Sequence, residues 1–167
     1  LVGSEMCIRD RKGKRVLTID MDPQGNTTSG LGIDKSTVEH TSYQLLTNET
    51  TIWEAMTPSI VPGLSVIASE RSLAGAEIEL IGVEDREFIL KKEVDKVRDN
   101  YDFVIIDCPP SLNTLTVNAM TTADTVLVPI QCEYYALEGL SELIYTIELV
   151  KERLNNKLEI EGVVFTM

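Results

Sequence analysis

Histidine is nearly absent from this chain and cysteine is scarce. The single histidine, His40, lies in a polar stretch, and the three cysteines, Cys7, Cys108 and Cys132, show no CxxC spacing. One histidine cannot build a His-based metal cage, so His40 reads as a solvated surface residue. An odd number of unclustered thiols does not make the disulfide framework of a small secreted domain, which leaves a reducing cytoplasm as the expected setting. No apolar run approaches the ~20 residues of a bilayer-spanning helix, and no membrane association is expected. Positive charge is also short: 15 Lys and Arg stand against 27 Asp and Glu, a net charge of −12. With no long basic cluster, these residues alone lack the cationic face that neutralises nucleic-acid phosphates.

What is present suits one globular domain: 167 residues, 43% hydrophobic and 25% charged. Residues 1–11 do not match the rest of the chain. They show neither strand alternation nor helix periodicity, and neither the apolar core nor the cleavage site of a signal peptide. Met6-Cys7-Ile8-Arg9-Asp10 is what ATGTGTATAAGAGAC encodes, a stretch resembling a transposase adaptor used in library preparation. The expectation is a non-native or disordered leader over 1–11 and a domain over 12–167.

From Lys12 onward strands and helices alternate. Arg15 to Ile19, Leu64 to Ala68, Phe103 to Ile106, Thr125 to Pro129 and Ile160 to Phe165 are short and rich in Val, Ile and Leu, as strands of a parallel sheet buried on both faces tend to be. Thr51-Ile52-Trp53-Glu54 has the form of a capping box at a helix start. Leu90, Val94, Val97 and Tyr101 recur at helical spacing, as do Leu137, Leu140, Ile144, Ile147 and Leu154, and both series read as core-facing stripes. The stretch from Gly25 to Thr41 reads as a long surface connection and a candidate switch loop. The predicted class is α/β, with a mainly parallel sheet flanked by helices.

Two of these strands run into an aspartate where a turn begins: Ile19-Asp20-Met21-Asp22-Pro23-Gln24-Gly25-Asn26, and Ile106-Asp107-Cys108-Pro109-Pro110-Ser111. In an open α/β sheet ligands bind beyond the carboxyl ends of the strands, so acids placed there can reach one magnesium–phosphate group together. Phosphoryl transfer is the chemistry this suggests. Taken singly, each acid is equally well a strand-ending turn residue.

Six ordered segments carry a more specific likeness: Lys12 to Leu17, DMDPQGNTTSGLGID from Asp20 to Asp34, LAGAEIEL from Leu73 to Leu80, EDREFILKK from Glu84 to Lys92, YDFVIIDCPPSL from Tyr101 to Leu112, and PIQCEYYALEGLSEL from Pro129 to Leu143. Together they resemble the ParA/Soj family of chromosome- and plasmid-partitioning ATPases, over Lys12 to Met167. The resemblance implies a P-loop NTPase-like fold using ATP and Mg²⁺. It also implies an ATP-dependent homodimer, non-specific DNA binding by that dimer on the nucleoid, and a ParB-type partner that stimulates hydrolysis. By position, Asp22 matches the switch I acid that orients the attacking water, with Pro23, Gln24, Gly25 and Asn26 forming the backbone around it. Asp107 matches the acid that holds Mg²⁺ through water, and Asp20 is given a supporting place near the metal shell. Cys108-Pro109-Pro110-Ser111 opens switch II, and Thr166-Met167 resembles the start of a loop near the adenine.

The family's Lys-Gly-Gly-x-Gly-Lys-Thr phosphate loop is not among these residues. The Gly13-Lys14 pair matches instead the turn before the family's second strand. The expectation is therefore a chain lacking the first strand, the P-loop and the first helix, with its sheet open beside Phe103 to Ile106. A MinD-like division-site ATPase remains an alternative, as does a non-catalytic interaction module of the same fold. A nitrogenase iron-protein-like reductase is disfavoured by the cysteine spacing.

Overall fold

Apolar runs rich in Val, Ile and Leu, bounded by turn residues, produce five of the six strands among the described residues, and helices form in the stretches between them. The computed structural model describes residues 13–109, 111–131 and 136–166. Residues 1–11, expected from the sequence to be a leader, and Pro110, Cys132 and Met167 lie outside them. In chain order the elements are β1 (Val16–Asp20), α1 (Asn26–Gly30), α2 (Ser42–Leu46), α3 (Ile52–Ala55), β2 (Met56–Pro58), β3 (Leu64–Ile67), α4 (Leu73–Glu79), α5 (Ile89–Val94), β4 (Phe103–Asp107), α6 (Thr114–Thr122), β5 (Thr125–Gln131), α7 (Ala136–Arg153) and β6 (Glu159–Thr166). Single 3₁₀ turns lie at Lys35–Thr37, Arg86–Phe88 and Arg98–Asn100.

The strands form a four-stranded sheet in the order β2-β3-β1-β4 and a two-stranded sheet of β5 and β6. All pairings are parallel except β2 with β3. The mainly parallel α/β class expected from the sequence is therefore the one observed. The antiparallel β2 had no sequence expectation; it is short, lies at the sheet edge and ends in Pro58, which an edge strand tolerates.

β1 is the centre of the first sheet and is fully buried. Its period of two splits its side chains between two cores. Leu17 and Ile19, with Met21 beyond the strand, pack on one face against Leu45, Leu46, Ile52, Leu73, Leu90, Val94, Val97 and Leu115. Val16 joins Leu64 and Val66 on the other. The second sheet has its own core of Met120, Val128, Ile147, Val150 and Leu158. Helix α6 joins the two bodies. Leu115 belongs to the first core and Met120 to the last, and Asn155 Nδ2 donates to Met120 O (2.9 Å) and Ala123 O (2.8 Å) at its C-terminal end.

Burial on both faces holds for β1 but not for every predicted strand. β4 is the edge of its sheet, and Phe103 is 42% exposed. Leu127, Ile160, Val163, Val164 and Phe165 are likewise exposed on the second sheet. The physical reason is that β4 and β5, each apolar enough for an interior position, have a strand neighbour on one side only among the described residues. The helical stripe ending at Tyr101 is also shorter than read: α5 stops at Val94, Val97 is buried in the turn after it, and Tyr101 follows the Arg98–Asn100 turn, two residues before β4.

The entrances of β1 and β4 are tied together. Arg15 N donates to Asp102 Oδ2 (2.8 Å), Asp102 N donates back to Arg15 O (2.8 Å), and Lys14 Nζ lies 3.1 Å from Asp102 Oδ1. The Arg15 amide first, and then the Lys14 ammonium, hold the Asp102 carboxyl below its ordinary pKa. A depressed folded-state pKa contributes stability that is present above the unfolded value and is lost as pH falls through the folded one. Asp102→Asn is therefore expected to lower the urea midpoint at neutral pH, and the gap to the parent is expected to close below about pH 4. An equal gap at both pH values would refute this.

Candidate functional site

β1 and β4 run side by side with Asp20 opposite Asp107, so the two strands deliver their terminal acids to one edge of the sheet. Met21 N donates to Asp107 O (2.7 Å), which extends the pairing one residue past the strand. The chain then turns. Asp22 Oδ1 accepts from Gln24 N (3.0 Å), Asp22 O accepts from Gly25 N (2.8 Å), and Gly25 enters α1 with φ +62°. Only glycine adopts this conformation freely. A Cβ on Gly25 would also meet the Lys35 ammonium and stand 2.8 Å from Ser69 O. Lys35 Nζ crosses the turn to donate to Gln24 O (3.0 Å).

The 25–41 stretch is thus not the plain surface connection expected. It begins with helix α1, whose Thr27 and Thr28 are buried. Thr28 N and Thr28 Oγ1 both donate to Asp20 Oδ2 (2.8 and 2.6 Å), and Asp22 N donates to Asp20 Oδ1 (3.1 Å). Ser69 N donates in turn to Thr28 Oγ1 (2.9 Å), while Ser69 Oγ donates to Asp22 O (2.7 Å). Thr27 Oγ1 reaches the other strand and donates to Asp107 Oδ2 (2.6 Å).

The three acids occupy different surroundings. Asp20 has no exposed surface and both its oxygens are engaged by the protein. Asp22 and Asp107 are half-buried. Burial pushes the Asp107 carboxyl above its ordinary pKa, the Thr27 hydroxyl opposes that rise, and the nearby charges of Asp20 and Asp22 add to it. Next to it, burial and the charges of Asp107 and Asp22 push the Cys108 thiol up to about 11, so it stays protonated and is not a nucleophile. Pro109 comes next, its carbonyl accepting from Thr116 Oγ1 (3.3 Å). Thr166 stands apart at the end of β6, its hydroxyl donating to Ile130 O (3.3 Å).

The structure therefore brings together Asp20, Asp22, the Pro23–Asn26 turn and Asp107. Sequence reasoning missed Thr27, Thr28 and Ser69. The Thr27-Thr28 pair directly after the turn was the available signal for the first two, since buried hydroxyls beside buried carboxylates are obliged to pair.

A family model described as AAA domain matches residues 5–160. The chain is 53% identical over 155 residues to the sporulation initiation inhibitor protein Soj of Bacillus subtilis, a match covering 93% of this chain and 61% of that protein. It is 51% identical over 157 residues to the chromosome partitioning protein ParA of Caulobacter vibrioides, covering 93% and 59%. The chain belongs to the ParA/Soj family. It spans about three-fifths of the length of these relatives. Among solved structures, cobyrinic acid a,c-diamide synthase from Mycobacterium smegmatis, with bound ATP analog and magnesium, superposes with a TM-score of 0.88 at 36% identity, over 93% of this chain and 63% of that one. A plasmid partition protein from Borrelia burgdorferi superposes with a TM-score of 0.78 at 27% identity, over 92% and 67%. The P-loop NTPase fold of the ParA/Soj family thus accounts for the parallel order of β3, β1 and β4.

Removing the Asp20 carboxylate would strand the Thr28 and Asp22 amides and the Thr28 hydroxyl in a buried site. Asp20→Ala is expected to cost about 3 kcal/mol of stability, the scale of losing charge-assisted bonds to buried donors. Urea unfolding checks this, and a loss below about 1 kcal/mol, the worth of one ordinary hydrogen bond, would contradict it.

Proposed function

We propose that the chain is the acid-bearing part of an ATP-hydrolysing partitioning protein that acts in chromosome or plasmid segregation. The observation that carries this reading is the register of Asp20 with Asp107 across β1 and β4, with Asp22 held in a turn just beyond. Phosphoryl transfer is catalysed mainly by positioning and charge neutralisation, and two acids in distinct surroundings suit those two tasks.

Asp22 takes the water-positioning role. Its turn fixes Oδ1 on the Gln24 amide, and the half-exposed carboxylate lies at the end of the sheet where parallel strands bind ligands. Asp107 takes the metal role. Among the described residues no group of three or more His, Cys, Asp or Glu side chains forms a metal cage. That fits magnesium, which is commonly held by one or two carboxylates together with water and substrate phosphates. When bound, the ion neutralises developing charge on the phosphate oxygens. Asp20 we assign to holding the turn, in place of the metal-shell role expected from sequence, because it is fully buried and both its oxygens accept from Thr28 or Asp22. Pro23 to Asn26 and Pro109 remain the proposed nucleotide-side backbone. Thr166, on the separate sheet, has the weaker support.

The names of the relatives support partitioning over other uses of the fold. Those at 53% and 51% identity are the Soj and ParA proteins, against 36% for the diamide synthase. The same likeness supports a homodimer, a ParB-type centromere-binding partner and non-specific DNA binding by the longer protein, in the cytoplasm on the nucleoid. Among the described residues no helix is long and apolar enough to cross a membrane.

In a protein extended to the length of its relatives, Asp22→Ala is expected to keep ATP binding while lowering single-turnover hydrolysis by about a hundredfold or more, on the scale of a lost water-orienting group. Asp107→Ala is expected instead to weaken the Mg²⁺ dependence of nucleotide binding. Undiminished hydrolysis in the first variant, or an unchanged Mg²⁺ response in the second, would remove that role.

The 167 residues alone are expected to bind no ATP by calorimetric titration with Mg²⁺–ATP. Without the glycine-rich backbone cradle and its lysine, the carboxylates meet the triphosphate as like charges. Micromolar binding by this chain would overturn the account of what the phosphate loop contributes.

A further inference from the structure

We propose that Thr27 is a positioning residue for Asp107, coupling the turn that bears the water-positioning acid to the acid that holds the metal. The inference rests on the metal role proposed for Asp107. Thr27 is 7% exposed and its hydroxyl donates to Asp107 Oδ2 at 2.6 Å, a short contact of the charge-assisted kind. A hydroxyl has one proton to give, and here it is committed to the carboxylate. This fixes the rotation of the carboxyl group and leaves Oδ1 as the oxygen available to an ion's water shell.

The bond also crosses between elements. Thr27 lies on α1, five residues beyond Asp22, whereas Asp107 ends β4. The next residue, Thr28, fastens the same helix to Asp20 at the end of β1 and to Ser69 beyond β3. Adjacent threonines therefore anchor one short helix to three strand ends. Any displacement of the Asp22 turn acts on the Asp107 carboxylate through Thr27. A hydroxyl that serves only packing would be replaceable by an isosteric methyl. A positioning hydroxyl would not.

The test uses the protein extended to the length of its relatives and measures the Mg²⁺ concentration that gives half-maximal ATP binding. Thr27→Val keeps shape and removes the donor, Thr27→Ser keeps the donor, and Asp107→Asn controls for the metal role. Thr27→Val is expected to raise the Mg²⁺ requirement about tenfold, the scale for losing a residue that orients a metal ligand, and Thr27→Ser to stay within about twofold of the parent. Adding Thr27→Val to Asp107→Asn should change the requirement little further, because the two residues act as one unit. Urea midpoints confirm that each variant is folded, with Thr27→Ala as the substitute where the valine variant is not.

If Asp107→Asn shifts the requirement while neither Thr27→Val nor Thr27→Ala does, the Thr27 inference fails and the metal role stands. Failure of serine to restore the parent value also overturns it. If Asp107→Asn itself leaves the requirement unchanged, the reading of Asp107 is what fails.

Discussion

A carboxylate with no contact to water must be given hydrogen bonds by the protein, and Asp20 meets this by drawing in three donors from Asp22 and Thr28. Those bonds decide where the chain goes after β1. They bend Asp22 back toward the strand, seat helix α1 against the sheet, and place Ser69 where its hydroxyl closes on the Asp22 carbonyl. The left-handed backbone at Gly25 is the conformational counterpart of the same constraint, since the turn has only Gly25 in which to reverse before α1 begins. Asp22 and Asp107 are thereby left as the half-exposed acids of the group.

Energetically the site depends on the strand beneath it. Leu17 and Ile19 alternate with Val16 and Thr18 along β1, so two cores hold the strand from both faces and its end is fixed in direction. Packing of this density resists displacement. The acids therefore stand on a rigid support, and the turn above them is tied by the polar bonds of Asp22 with Gln24, Gly25 and Ser69.

Much of this was legible in the sequence, and the reasons differ by residue. β1 and β4 were visible within one residue of their ends because Val-Leu-Thr-Ile and Phe-Val-Ile-Ile are apolar runs that stop at an aspartate. The ParA/Soj likeness was visible because its segments occur in order. The Thr51–Glu54 signal was visible too, and Glu54 indeed accepts from both the amide and the hydroxyl of Thr51. The pairing of Thr27 with Asp107 was not, because it joins residues 80 positions apart and local spacing carries no trace of it. β2 was hidden for a related reason: Met56-Thr57-Pro58 becomes a strand only through pairing with Val66 and its neighbours. The exposure of β4 and β5 could not be read from side chains that suit an interior position equally well.

Cys108 gives the site an internal gauge. A thiol with a pKa of about 11 is almost wholly protonated at neutral pH, and the half-buried position beside Asp107 limits reagent access as well. In the closed structure its thiolate fraction is small and its alkylation slow. Any opening of the end of β4 therefore speeds its alkylation, and under conditions where opening precedes labelling the rate reports the free energy of that local event. The residue next to the proposed metal-holding acid thus counts how often the acid loses its seat.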